Sequence, residues 1–128
     1  IGSLLYLGQE QHVGETIVNL RIHGPSGVAE VEALTDTGAT STKVPLLAIE
    51  KAGIRPTYET DVELANGQTT KRRLGLAEVE IDGIRRPVLV SFGEPEERAL
   101  LGYTTLETLG FEVNPVTRSL EPTPAIEY

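Results

Sequence analysis

Asp36-Thr37-Gly38-Ala39 is the one place in this chain where residue types and spacing suggest chemistry. An apolar stretch, Val28 to Thr35, delivers an acid at its end and then turns through small residues. A carboxylate at the end of a buried strand is costly unless it is paired, hydrogen-bonded or protonated. Two readings follow: Asp36 caps nearby backbone N–H groups at a strand-to-turn corner, or it moves protons. Other chemistries find little support. The only histidines are His12 and His23, and there is no cysteine. A zinc site needs three or four converging ligands, so neither a metal nor a cofactor is expected. No serine sits on a G-x-S-x-G elbow, and no Gly-x4-Gly-Lys phosphate loop is present.

The elements that must position Asp36 are mostly strands. Thr16, Val18, Leu20 and Ile22 alternate with Ile17, Asn19, Arg21 and His23, the period of a half-buried strand. Gly24-Pro25-Ser26-Gly27 turns the chain, and Val28 to Thr35 returns as its partner. Pro45 suits the opening of a short helix over Leu46 to Ala52, with Gly53 as its stop. A meander follows: Thr60 to Ala65, a two-residue turn at Asn66-Gly67, then Gln68 to Arg73. Leu74 to Ile81 and Ile84 to Phe92 flank a second tight turn at Asp82-Gly83, and Pro87 marks an edge or an interruption. Ala99-Leu-Leu-Gly102 precedes a second helix, for which Thr104 and Glu107 have the spacing of a capping box, and Gly110 ends it. Phe111 to Asn114 is a further strand, and Glu121 to Tyr128 an extended tail. The sum is an all-β domain with two short helices.

At 128 residues the chain is most simply one domain. Its charge of −8, from 19 acids against 11 Lys and Arg, argues against nucleic acid as the main partner. Lys71-Arg72-Arg73 and Arg85-Arg86 read as solvated strand faces. No apolar run approaches the roughly 20 residues of a membrane span. The lack of cysteine fits a reducing compartment, and a cytoplasmic location is the expectation. A chain beginning at Ile1 is expected to be a fragment or a processed form.

The chain resembles the retropepsin-like aspartic proteases from about Glu15 to Pro122. Val31-Glu-Ala-Leu-Thr-Asp-Thr-Gly-Ala39 is similar to their active-site strand and loop, and Ala99 to Gly110 to their second signature. The Thr60–Arg73 hairpin lies where the family carries its flap. The resemblance implies a closed β-barrel with a flap hairpin and one or two short helices. It divides the chain into an N-terminal extension (1–14), a protease domain (15–122) and a tail (123–128). It further implies an aspartic endopeptidase acting on peptides, with Asp36 as catalytic residue. Only one D-T-G is present, and neither Asp61 nor Asp82 is followed by Thr-Gly or Ser-Gly. The resemblance therefore implies a homodimer with one Asp36 from each subunit. Thr37 would bond across the two-fold axis, Gly38 would bring its N–H to the carboxylate, and Ala39 would leave room for substrate. Ala65, Asn66, Gly67 and Gln68 would form the flap tip. Leu100, Leu101 and Gly102 would support the loop from beneath.

Two departures matter. Thr35 stands where the family usually has an aliphatic residue. The segment Phe111–Pro122 is longer than the single strand of the retroviral dimer interface, and with no polyprotein context the chain looks closer to cellular and bacterial members. Two other classes stand beside this reading. One is an inactive retropepsin-fold module for dimerisation or peptide binding. The other is a phosphotransferase, because Asp36 to Thr40 also resembles the phosphate loop of sugar kinases and actin-like ATPases; that fold needs two α/β domains.

Overall fold

A computed structural model describes residues 15–123. The expected extension 1–14, with His12, and residues 124–128 of the expected tail lie outside the described residues.

Ile17–Gly24 (β1) and Gly27–Asp36 (β2) form an antiparallel hairpin in which Ile17 faces Leu34. The alternation places Leu20 and Ile22 in the core. Thr42–Val44 (β3) is short, and Leu46–Ala52 (α1) follows it. Pro45 sits just outside α1 in extended backbone rather than in its first turn, and its carbonyl accepts from Ala48 and Ile49 N–H groups. Gly53 ends the helix at φ 76°, a conformation that glycine adopts without a side-chain penalty. The helix turns Ala48, Ile49 and Ala52 toward the core shared with Leu20 and Ile22.

Tyr58–Glu63 (β4) pairs with the first half of Thr69–Ile81 (β5), and the second half of β5 pairs with Ile84–Phe92 (β6). The two strands expected over Gln68–Arg73 and Leu74–Ile81 are thus one, because successive partners keep its backbone extended. The strand expected from Thr60 to Ala65 begins and ends two residues earlier. At its tip Gly67 N–H bonds Leu64 O at 2.9 Å, and Leu64 N–H bonds Gln68 O at 2.7 Å. Only Gly67 has positive φ there, so the loop is a three-residue turn with a glycine bulge, not the two-residue turn expected. Asp82 and Gly83 both have positive φ, at 51° and 83°, and do form the tight two-residue turn. At Pro87 the side of β6 away from β5 carries no ladder, since β3 meets β6 only at Val90–Phe92. The missing N–H is tolerated there.

Ala99–Gly102 (β7) lies between β2 and β3, and Tyr103–Leu109 (α2) continues directly from it. The expected capping box does not form; the helix starts at Gly102 with no side-chain cap. Thr104 bonds the carbonyl of Thr40 with its hydroxyl instead. Phe111–Val113 (β8) and Leu120–Pro122 (β9) make a separate hairpin. Glu121 and Pro122 are therefore strand rather than tail. Asn114 shapes its loop by accepting from Val116 and Thr117 N–H groups at 2.8 and 3.1 Å.

The large sheet runs β1-β2-β7-β3-β6-β5-β4, and β1 pairs back onto β5. Six strands thus close a barrel, and β4 with the outer half of β5 projects from it as a hairpin. Closure removes the free edges that an open sheet would present. His23 Nε2 meets Glu80 Oε1 at 2.7 Å across the β1–β5 seam, which gives this histidine a structural role. Two α/β domains are absent from the described residues, which removes the phosphotransferase reading.

Candidate active site

Asp36 ends β2, and the loop that follows folds around it. Gly38 N–H donates to Asp36 Oδ1 at 3.0 Å, while Ala39 N–H donates to the Asp36 carbonyl at 3.0 Å. The carboxylate and its own backbone therefore organise the turn. A Cβ at Gly38 would stand 3.3 Å from Oδ1, so close approach explains this glycine. The side chain of Asp36 is exposed in the single chain, as are Thr37 and Gly38. This corrects the expectation of a deeply placed charge: the strand carries Asp36 out of the core at its last residue.

Beneath the loop, β2 and β7 run parallel, with Leu34 beside Leu100, Thr35 beside Leu101 and Asp36 beside Gly102. Leu101 is fully buried and Leu100 half-buried. The start of α2 then grips the loop. Tyr103 N–H bonds Ala39 O at 2.8 Å and Thr104 N–H bonds Thr40 O at 3.2 Å. These donors would be unpaired in an isolated helix. The loop carbonyls satisfy them, which is why no side-chain cap is needed.

Sequence reading missed a buried pair that completes this support. Thr42 Oγ1 accepts the Gly102 N–H at 2.9 Å and donates to Thr105 Oγ1 at 2.7 Å. Both threonines are buried. For Thr42 the only signal in the sequence is a hydroxyl where strand alternation calls for an apolar side chain; Thr105 lies on the helix face that also buries Leu106 and Leu109. Thr35 shows the opposite case: its Oγ1 is buried with no hydrogen-bond partner among the described residues. Replacing it with valine keeps the branched shape and removes the unsatisfied group, so Thr35→Val should raise stability by about 1 kcal/mol. Denaturant unfolding checks this, and an unchanged or lower midpoint at equal slope would refute it.

The residues expected at the flap tip, Ala65, Asn66, Gly67 and Gln68, do lie at the end of the β4–β5 hairpin and are exposed. Asn66 Oδ1 accepts the Gln68 N–H at 3.0 Å, so the tip is shaped by its own side chain. The base of the hairpin is tied to the loop between β6 and β7. Arg72 lies near Glu94 and Glu97, and Lys43 Nζ meets Glu97 Oε2 at 2.6 Å. Burial alone would raise the Glu97 pKa. The Lys43 hydrogen bond, the Glu94 N–H and the charges of Lys43 and Arg72 together outweigh it and hold Glu97 below its ordinary 4.5. A depressed carboxyl stabilises the fold above its unfolded pKa, and that contribution fades as pH falls through the folded value. Glu97→Gln should therefore destabilise the protein at neutral pH, and the difference from wild type should close below about pH 4.5. Equal differences at pH 7 and pH 3 would show that the charge is not responsible.

Comparison with known families supports this geometry. The family model described as aspartyl protease matches residues 18–105, which include the Asp36 loop, the hairpin and Gly102. The chain belongs to the aspartyl protease family. Its fold is similar to that of the solution structure of the simian foamy virus (mac) protease, with a TM-score of 0.54 at 21% identity over 73% of this chain and 94% of that one. The barrel is thus of the retropepsin type. Comparison with curated proteins gives no significant match. No helix among the described residues is long and apolar enough to cross a membrane.

Proposed function

We propose that the protein is a homodimeric aspartic endopeptidase whose active site joins two Asp36 carboxyls across a two-fold axis. The observation that carries this reading is half of such a site: an exposed carboxylate, held by Gly38 N–H, at the tip of a strand that α2 and β7 brace. The chain's two other aspartates are placed elsewhere. Asp61 pairs with Lys71 on the hairpin at 3.0 Å, and Asp82 sits in the β5–β6 turn. A second copy supplies the missing acid, because a two-fold axis brings the same patch of both subunits together.

Like charges in hydrogen-bond contact resist double ionisation, so the pair retains one proton; aspartic protease dyads are the established example. The ionised carboxylate takes a proton from water, whose oxygen bonds to the peptide carbonyl carbon. The protonated partner gives its proton to the carbonyl oxygen. Collapse then breaks the C–N bond, and the nitrogen leaves with a proton returned by the dyad. Thr37, exposed in the single chain, would bond its counterpart across the axis, and Ala39 would leave space for an extended substrate backbone. The hairpin tip at Ala65–Gln68 closes over the peptide and excludes water.

Digestion of an unstructured protein such as casein between pH 3 and pH 7, roughly the range in which such a pair shares a proton, tests the reading. Cleavage by wild type and none by Asp36→Asn supports it. Two inert proteins would leave a peptide-binding or dimerisation module.

A further inference from the structure

The face of the sheet that carries Asp36 also carries a lysine, Lys43, whose counter-ion Glu97 is shared with a second cation, Arg72. Strand pairing places Leu34 beside Leu100 and Leu100 beside Lys43. Thr42 and Val44 point into the core, so Lys43 shares the outer face with Leu34, Leu100 and Asp36. At about 3.3 Å per residue and 4.8 Å per strand, Lys43 lies one strand from Leu100 and on the order of 12 Å from Asp36, the span of three to four residues of an extended peptide. Leu34 and Leu100 supply the apolar floor of that surface; Lys43 ends it with a charge.

Glu97 is the close counter-ion, and more than one donor draws on each of its oxygens. Oε2 receives Lys43 Nζ at 2.6 Å, and Oε1 receives the Glu94 N–H at 2.9 Å. Arg72, with 9% of its side chain exposed, is left with Glu97 at 3.3 Å and Glu94 at 3.5 Å. Those distances exceed the 2.7 to 2.9 Å of a charge-assisted bond. The Glu94 carboxylate is itself 78% exposed and screened by solvent. Two cations therefore share one well-placed carboxylate, and the guanidinium's own hydrogen bonds, 3.4 Å to Glu97 and 3.5 Å to Glu94, are long.

We propose that Lys43, backed by Arg72, forms a subsite for an acidic side chain of the peptide substrate. The proposal rests on the peptidase reading above and adds a substrate class to it: an apolar residue over Leu34 and Leu100, and Asp or Glu within two positions of it. The carboxylate completes the coordination of both cations. A neutral carboxamide of the same shape brings no charge to offset them.

Short peptides capped at both ends, with one position fixed in turn as Asp, Asn, Leu or Lys, test this in two formats. Binding is measured to the Asp36→Asn protein, and cleavage with the wild type. At one position Asp is expected to exceed Asn and Leu by about tenfold in binding and in kcat/KM. Lys43→Met should erase that preference, and Lys43→Arg should keep it. A profile in which Asp and Asn are equivalent overturns the subsite, whichever variants fold. An acidic preference unchanged in folded Lys43→Met also overturns it, leaving Lys43 as a pin for the 93–98 loop. Acidic preference in binding without any cleavage by wild type would keep the subsite and defeat only the peptidase reading.

Discussion

Mixing equal amounts of wild-type and Asp36→Asn chains should leave about a quarter of the peptidase activity if, as proposed, only dimers that carry two aspartates are competent. Asp36→Asn alone should lose about 10⁴-fold in kcat, since proton transfer to and from the reacting groups depends on the pair. The asparagine can still accept the Gly38 N–H through its side-chain oxygen, so the loop keeps its shape. It cannot take a proton from water, nor share one with its counterpart. Activity against wild-type fraction, measured after subunits have exchanged, should follow a square law. A straight line would mean that one chain holds a complete site, and the dimeric mechanism would be wrong. Far-UV circular dichroism and thermal unfolding of the variant should match wild type, which separates lost chemistry from lost fold.

Gly102→Ala should be among the most damaging single substitutions in the protein. A Cβ at this position would stand 2.5 Å from the Ser41 carbonyl oxygen and 3.0 Å from the Ala39 oxygen. Both obstacles are backbone, so no side-chain rotation relieves them. The neighbouring backbone is itself held: Gly102 N–H bonds Thr42 Oγ1, and Ala39 O receives the Tyr103 N–H. Relief requires moving the loop away from β7, which breaks those bonds and displaces Asp36. Overpacking of this kind costs about 3 kcal/mol or more. A domain of this size should lose roughly 10 °C or more in Tm. Residual folded protein should show reduced kcat, because the carboxyls no longer meet at the same separation. A Tm within a few degrees of wild type, with kcat retained, would show that the two strands have slack here.

The barrel was largely legible because its core strands alternate cleanly. Leu20 and Ile22 in β1, and Val79 and Ile81 in β5, have only one face on which to hide, so period and turn residues together defined the elements. Legibility failed where a tertiary partner replaced a local one. Thr104 and Glu107 have capping-box spacing, yet the Ala39 and Thr40 carbonyls reach the helix start first and the local cap is not used. Asn66-Gly67 favours a two-residue turn, but the register that faces Glu63 with Thr69 adds a residue to the loop. Of the C-terminal hairpin only the first strand was legible, because Leu120–Pro122 carries no strong pattern; Asn114 joins the two by shaping the loop between them.

By itself the sequence determined the acid and its turn. One Asp-Thr-Gly stands in these 128 residues, which on the mechanism proposed above is half of a two-carboxylate site. Only the tertiary structure decided what stands around that acid. Parallel pairing of β2 with β7 sets Gly102 against Asp36, and the Thr42–Thr105 pair locks β3 beneath them. Antiparallel pairing of β3 with β7 brings Lys43 alongside Leu100 although 57 residues separate them in sequence. Such neighbours come from strand order and register, which are set by burying one face of every strand around a common core, and no local pattern encodes them.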